Sequence, residues 1–298
     1  MECCYINIKM QFCTGVDFKE IFKKIRLLDP AAQYSAFVKF LDLTRPYFIR
    51  CTSQNQKKYF FRVRAHFDDN GNYFFNNISD ISYRHDLFNI HRFGRCNSPF
   101  ESLFYCSDSP ILAFAEVMRM TRAERRKDFF YHTTSVWSQK QPLNMATIFE
   151  PKGIRNKNKE LLSITKTCIE TINTLENKRY IKDLTRIHRI ITKEFTIPFS
   201  SDNNIYLFSS AVSSYLLNPL EYKSEKVDGL IYPTCIEDCK LRTIGLNYVF
   251  NPLVVGFGNK IELEAVYRSK MQKIGRGYYE TEIKLFKKAN RFTGQIVW

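Results

Sequence analysis

Three arginines, a tyrosine and a glutamate carry the types and spacing in this sequence that invite chemistry. In YFFRVRAHF, Arg62 and Arg64 alternate with Phe61, Val63 and Ala65, so both guanidinium groups leave one face of a strand. Such a pair has two uses. An antiparallel sheet commonly turns one polar face to water, or the two forks bind phosphate oxygens, which arginine does better than lysine because each fork donates two hydrogen bonds at once. In FGRCNSPFESLFYCS, Arg95 and Tyr105 are bracketed by Gly, Asn, Ser and Pro, and nine residues beyond Ser107 a lone Glu116 interrupts the apolar helix pattern SPILAFAEV. Its neighbours at i−4, i−3 and i+4 are Leu112, Ala113 and Met120, so the carboxylate leaves from an apolar flank. Desolvation there disfavours ionisation unless a cation or hydrogen bond compensates. A salt bridge to Arg119 is one such compensation, and a functional partner is another.

Other chemistries are set aside on spacing. There is no GxxxxGK[ST], no GxGxxG after a strand, no HExxH and no GxSxG, and Gly256 with Gly258 forms a GxG that lacks a third glycine. Cys3/Cys4 and Cys235/Cys239 do not make the paired CxxC spacing that wraps a tetrahedral zinc, so no metal is expected.

The elements that position these residues follow from periodicity. DFKEIFKKIRLL puts Phe18, Ile21, Phe22, Ile25 and Leu28 on one helical face, with Asp17 and Glu20 as a capping box. A second helix starts at Asp29–Pro30 and runs through Tyr34, Phe37, Val38 and Leu41 towards Pro46. YFFRVRAHF and LFYCS are strands, and residues 76–102 are loop-rich. Ser109 caps a helix with Pro110 in its first position, two more helices occupy 160–195, and SSAVSSYLLN is a shorter one. From LIYP onward the pattern is strand: LNYVFNPLVV, IELEAVYR and YYETEIKLF. Helices and strands mix without regular βαβ alternation, which favours an α+β fold over a doubly wound sheet.

With 298 residues, 44% of them hydrophobic, the chain is able to build a sizeable core, and 26 Phe with 17 Tyr supply packing or stacking surface. No run approaches a membrane span, and the start MECCYINIKMQFC has no basic region followed by an apolar one. A cytoplasmic protein is therefore expected, with its nine cysteines as thiols rather than a disulfide framework. The net charge of +15 favours contact with nucleic acid, nucleotides or acidic surfaces.

FGRCNSPFESLFYCSDSPILAFAEV resembles the core of the RES domain family, named for its arginine, glutamate and serine. Gly94, Arg95 and Asn97 match the first block, Tyr105 the second, and Ala113 with Glu116 the third. FFRVR is similar to the family's first arginine strand, and DGLIYPTCIEDCKLRTIGLNYVFNP to its Gly-aliphatic-Tyr-Pro-Ser motif and closing strand. The resemblance spans about residues 58–252. Two positions depart from it: Cys96 replaces an aromatic, and Thr234 stands where the family has serine.

The resemblance implies an ADP-ribosyltransferase-like fold, a split and mostly antiparallel sheet around an NAD cleft, within residues 51–255. Residues 152–200 would form a helical insertion, 1–50 a helical N-terminal region and 256–298 a C-terminal β extension. It implies an NAD-consuming enzyme, a phosphorylase with inorganic phosphate as co-substrate or a glycohydrolase, acting as a toxin or cell-arrest effector with an antitoxin or other regulatory partner, or as a homo-oligomer. Glu116, Arg95 and Tyr105 would be catalytic. Arg62, Arg64, Asn97, Tyr232 and Thr234 would bind NAD, with His91 added for its nearness to the arginine block. Glu116→Ala and Arg95→Ala would then abolish turnover and leave the fold intact. Two alternatives remain: transfer of ADP-ribose to a protein or nucleic acid, and a non-catalytic nucleic-acid binder built on RMTRAERRK (119–127) and on residues 260–298, with nine basic against four acidic side chains.

Overall fold

The computed structural model describes residues 18–44, 50–53, 58–66, 74–120, 129–149, 159–174, 178–198, 202–218, 227–235, 245–274, 277–286, 293–296 and 298. The Asp17 half of the first capping box and most of RMTRAERRK lie outside them. In chain order the elements are α1 (Phe18–Ile25), α2 (Pro30–Thr44), β1 (Arg50–Ser53), β2 (Tyr59–Ala65), α3 (Ile78–Ile81), β3 (Phe104–Ser107), α4 (Pro110–Met120), β4 (Phe129–Gln139), β5 (Leu143–Thr147), α5 (Lys159–Asn173), α6 (Lys178–Phe195), α7 (Leu207–Leu217), β6 (Gly229–Pro233), β7 (Leu246–Phe250), β8 (Ile261–Ile274) and β9 (Gly277–Phe286). Among the described residues no helix is long and apolar enough to cross a membrane.

The strands form one mixed sheet in the order β1-β5-β6-β7-β3-β2-β4-β8-β9, antiparallel except for β5 beside β6, and the fold is α+β. The sheet has a weak seam. β2 pairs with β4 from Tyr59↔Ser138 to Ala65↔His132, and β3 with β7 from Phe104↔Phe250 to Ser107↔Asn247, yet β3 and β2 meet only at Phe61↔Ser107. Arg62 bridges the seam with a side chain, Nη1 donating to the Tyr105 carbonyl at 2.9 Å.

Strand alternation divides the core into two layers. In β7, Val249 faces the helical layer while Leu246, Tyr248 and Phe250 face the other side, with Phe60, Phe104 and Trp137. On the helical side Phe22, Phe37 and Phe40 pack with Ile191, Phe195 and Phe208, and the Phe208 ring lies 4.8 Å from both Phe22 and Phe37. Burying such a side chain is worth about 1.5–3 kcal/mol. The N-terminal helices thus share one core with α6 and α7. α7 is buried on nearly every side, and its serines remain satisfied: Ser210 donates back to the Leu207 carbonyl and Ser213 to that of Ser209, both at 3.0 Å, while Ser214 donates to Glu101 Oε2 at 3.3 Å.

Four described elements, β1, α3, β4 and β5, have no counterpart in the sequence pattern read above. β4 is the most central of them, lying between β2 and β8, and its interior is lined by His132, Thr133, Thr134, Ser135 and Ser138, all buried. A strand buried on both faces with small polar groups shows no apolar–polar alternation.

Candidate functional site

α4 is set on the sheet by the residues just ahead of it. Asp108 donates its amide to the Leu246 carbonyl and accepts from the Leu246 amide through Oδ2, both at 3.1 Å, which ties the end of β3 to the start of β7. Gly245, just ahead, lets the helix sit close: a methyl group there would overlap Leu112. Glu116 follows one turn beyond Leu112 and is thereby held over the end of β6 and the start of β7.

Its carboxylate has two donors on one oxygen. Thr234 Oγ1 donates to Glu116 Oε1 at 2.9 Å, and Asn247 Nδ2 donates to the same atom at 2.8 Å. Ser107 Oγ in turn donates to Asn247 Oδ1 at 2.8 Å. These contacts give the carboxylate polar partners beside the apolar flank of the helix. Thr234, which replaces the serine of the resemblance, makes its hydrogen bond through the hydroxyl the two residue types share.

Arg95 projects from a locked turn. Gly94 N donates to the Asn97 carbonyl at 2.9 Å, and the Tyr105 hydroxyl accepts from Cys96 N at 2.9 Å while donating to Asn97 Oδ1 at 2.8 Å. A side chain at Gly94 would collide with the Asn97 amide. Cys96 is buried inside this turn, its thiol pushed up to about 12 by burial, and it fills a space where an aromatic ring would displace its neighbours. Burial likewise drives the Tyr105 phenol well above its ordinary range, with the nearby Cys96 adding to the rise. Tyr105 is thus an anchor of the arginine turn, its hydroxyl fully engaged.

The Arg95 guanidinium donates to the carbonyls of Phe195 and Ile197, the latter at 2.9 Å, lies 3.2 Å from Cys235 Sγ, and sits 5.0 Å from the centroid of the Tyr206 ring. Burial opposes its charge, but Cys235, Tyr206, Tyr232 and Glu116 outweigh it and raise the pKa, so the cation is secure. Arg95 therefore holds the end of α6 to the approach of α7 as well as facing Glu116 electrostatically. Tyr232, buried beside Phe195 at 5.5 Å, is kept a neutral phenol mainly by burial, then by Cys96 and Tyr105.

Arg62 and Arg64 share a face of β2 but are held by other elements. Arg62 crosses to β3 and lies 5.4 Å from the Phe104 ring; its Nε is buried without a hydrogen-bond partner, and burial followed by Arg64 pushes its pKa down to about 9. Arg64 turns to the Asp80 carbonyl in α3. The contacts of Arg95 are with α6, Tyr206 and Cys235, so the three arginines do not form one fork. His91 is exposed and meets Phe100 edge-on at 5.9 Å, on the outer side of the loop.

The structure thus brings together Arg95, Glu116, Tyr232 and Thr234, with Asn97 and Tyr105 supporting the turn. It adds Ser107, Tyr206, Cys235 and Asn247, which the sequence reading missed. The one signal for Asn247 is an amide inside the apolar strand LNYVF. Open depressions occur elsewhere. One of about 560 Å³ is lined by Tyr83, Arg84, Phe100 and Glu101, and one of about 410 Å³ by Asn144, Asp228, Asn259 and Lys260; neither includes Glu116 or Arg95. In the GxG turn Gly258 N already donates to Glu262 Oε1 at 2.8 Å. Among the described residues no group of three or more His, Cys, Asp or Glu is arranged to hold a metal.

Comparison of the chain with protein-family models, with curated proteins and with solved structures gives no match.

Proposed function

We propose that the chain is an NAD-consuming enzyme of the RES type, which cleaves the nicotinamide–ribose bond by phosphorolysis or hydrolysis on an ADP-ribosyltransferase-like fold and acts as a toxin or cell-arrest effector. One observation carries the reading: residues from blocks far apart in sequence converge on one carboxylate, with Thr234 bonded to Glu116 and the Arg95 cation in its field.

The chemistry needs little else. Breaking the bond to nicotinamide passes through an oxocarbenium-like state, and the leaving group is already cationic, so no general acid is required. Glu116 supplies the negative charge. Its Oε1 is occupied by Thr234 and Asn247, which leaves Oε2 to accept from the ribose hydroxyls as positive charge develops on the sugar. Arg95 supplies positive potential for the pyrophosphate or an attacking phosphate.

The test is purified protein incubated with NAD, with and without inorganic phosphate, and the products separated by chromatography. Release of nicotinamide is expected, with ADP-ribose 1″-phosphate as co-product only if the reaction is phosphorolysis. Label appearing on a macromolecule would favour the transferase reading. Intact NAD with folded wild-type protein would rule out both.

A further inference from the structure

Ser107 and Asn247 stand directly opposite each other in the β3–β7 register, and both are buried. A buried side-chain amide has to be satisfied at both ends. At one end the Ser107 hydroxyl donates to Oδ1; at the other Nδ2 meets Glu116 Oε1, each at 2.8 Å. Only the NH2 end of an amide is able to face an ionised carboxylate, because a carbonyl oxygen turned there would oppose a like partial charge. The carboxylate thus selects the NH2 end of the amide, and the serine hydroxyl, donating to Oδ1, anchors the other end, so the amide is held between them.

This matters because a glutamate on a helix has three side-chain torsions, and neither carboxylate oxygen is distinguished by its own covalent structure. Asn247 and Thr234 both donate to Oε1, from β7 and from the end of β6, so the group is held from two elements and Oε2 is the atom left free. The other groups acting on Glu116 are Arg95, Tyr206 and Tyr232. The fixed cross-strand pair adds a restraint that none of these supplies.

We infer that Asn247, anchored by Ser107, is the positioning residue that presents Glu116 Oε2 to the substrate, an inference that rests on the proposed role of Glu116. Catalysis by a preorganised charge depends on holding it within a fraction of an ångström of its working position, so a freed amide reduces kcat more than it alters KM.

Three variants test it, each first checked by circular dichroism and thermal unfolding. Ser107→Ala removes the donor to Oδ1 and leaves the amide held only through the carboxylate, and a fall in kcat of about tenfold with KM within about twofold is expected, restored by Ser107→Thr. Asn247→Asp sets a second carboxylate against Oε1, and the acid limb of the pH–rate profile is expected to move up by about one unit or more. Unchanged kcat in Ser107→Ala, or an unchanged profile in Asn247→Asp, overturns the inference. If the wild type leaves NAD intact, the functional reading fails on its own. The relay is then still decided by carbon-13 NMR of the labelled Glu116 carboxyl, assigned through its loss in Glu116→Gln: a titration that moves upward in Asn247→Asp supports it, and one that does not move refutes it.

Discussion

Arg95 has two roles that a single substitution cannot separate. Its guanidinium satisfies the carbonyls of Phe195 and Ile197, and it supplies positive charge opposite Glu116. Leaving a buried acceptor without its donor costs about 1–3 kcal/mol. Arg95→Ala is therefore expected to lower the unfolding midpoint by several degrees, read by thermal denaturation, and an unchanged midpoint would remove the structural role. This corrects the expectation that Arg95→Ala spares the fold; Glu116→Gln, which keeps shape and one hydrogen-bonding oxygen, is the cleaner variant. At this scale the convergence of Glu116 and Thr234, with Arg95 in the same field, was anticipated from the order of the sequence blocks that carry them. Ser107, Tyr206 and Asn247 were not, because their roles arise only when strand register and helix packing bring them to the carboxylate.

At the scale of elements, helices with an apolar stripe and strands with one polar face were readable, and β4 was not. Its buried polar interior has a consequence for stability. His132, 4% exposed and packed near His66, has its pKa lowered from 6.5 to about 4, first by burial and then by His66. Because the folded value lies below the unfolded one, the contribution is fully present above pH 6.5 and is lost as pH falls from there to about 4. The span corresponds to about 3 kcal/mol. Urea titrations at neutral pH and near pH 4.5 are expected to show this loss in the wild type and a shallower one in His132→Gln. Equal losses in the two proteins would assign the acid sensitivity to other groups.

For the whole molecule, the divisions at residues 50 and 255 do not mark separate cores. α1 and α2 bury Phe22 and Phe37 against Phe208, and β8 runs along β4 from Gln139↔Ile261 to Phe129↔Gln272. Removing residues 1–44 is expected to yield protein without a cooperative unfolding transition, and Phe208→Ala to cost about 3–5 kcal/mol by denaturant titration; a stable truncated protein would show that the N-terminal helices are dispensable. The basic C-terminal strands are partly committed inward as well. Arg268 is buried with its guanidinium 4.2 Å from the Phe74 ring centroid and 4.0 Å from that of Tyr131, so these rings pack a cation rather than offering free stacking surface. The charge of +15 was legible from composition, whereas its distribution between interior and surface needed the fold. The most direct measurement of the proposed activity is NAD turnover by wild type and Glu116→Gln side by side, at matched unfolding midpoints. Nicotinamide release by the wild type, reduced at least about a hundredfold in Glu116→Gln, is the expected result; no release by folded wild type, or equal release by both, would contradict it.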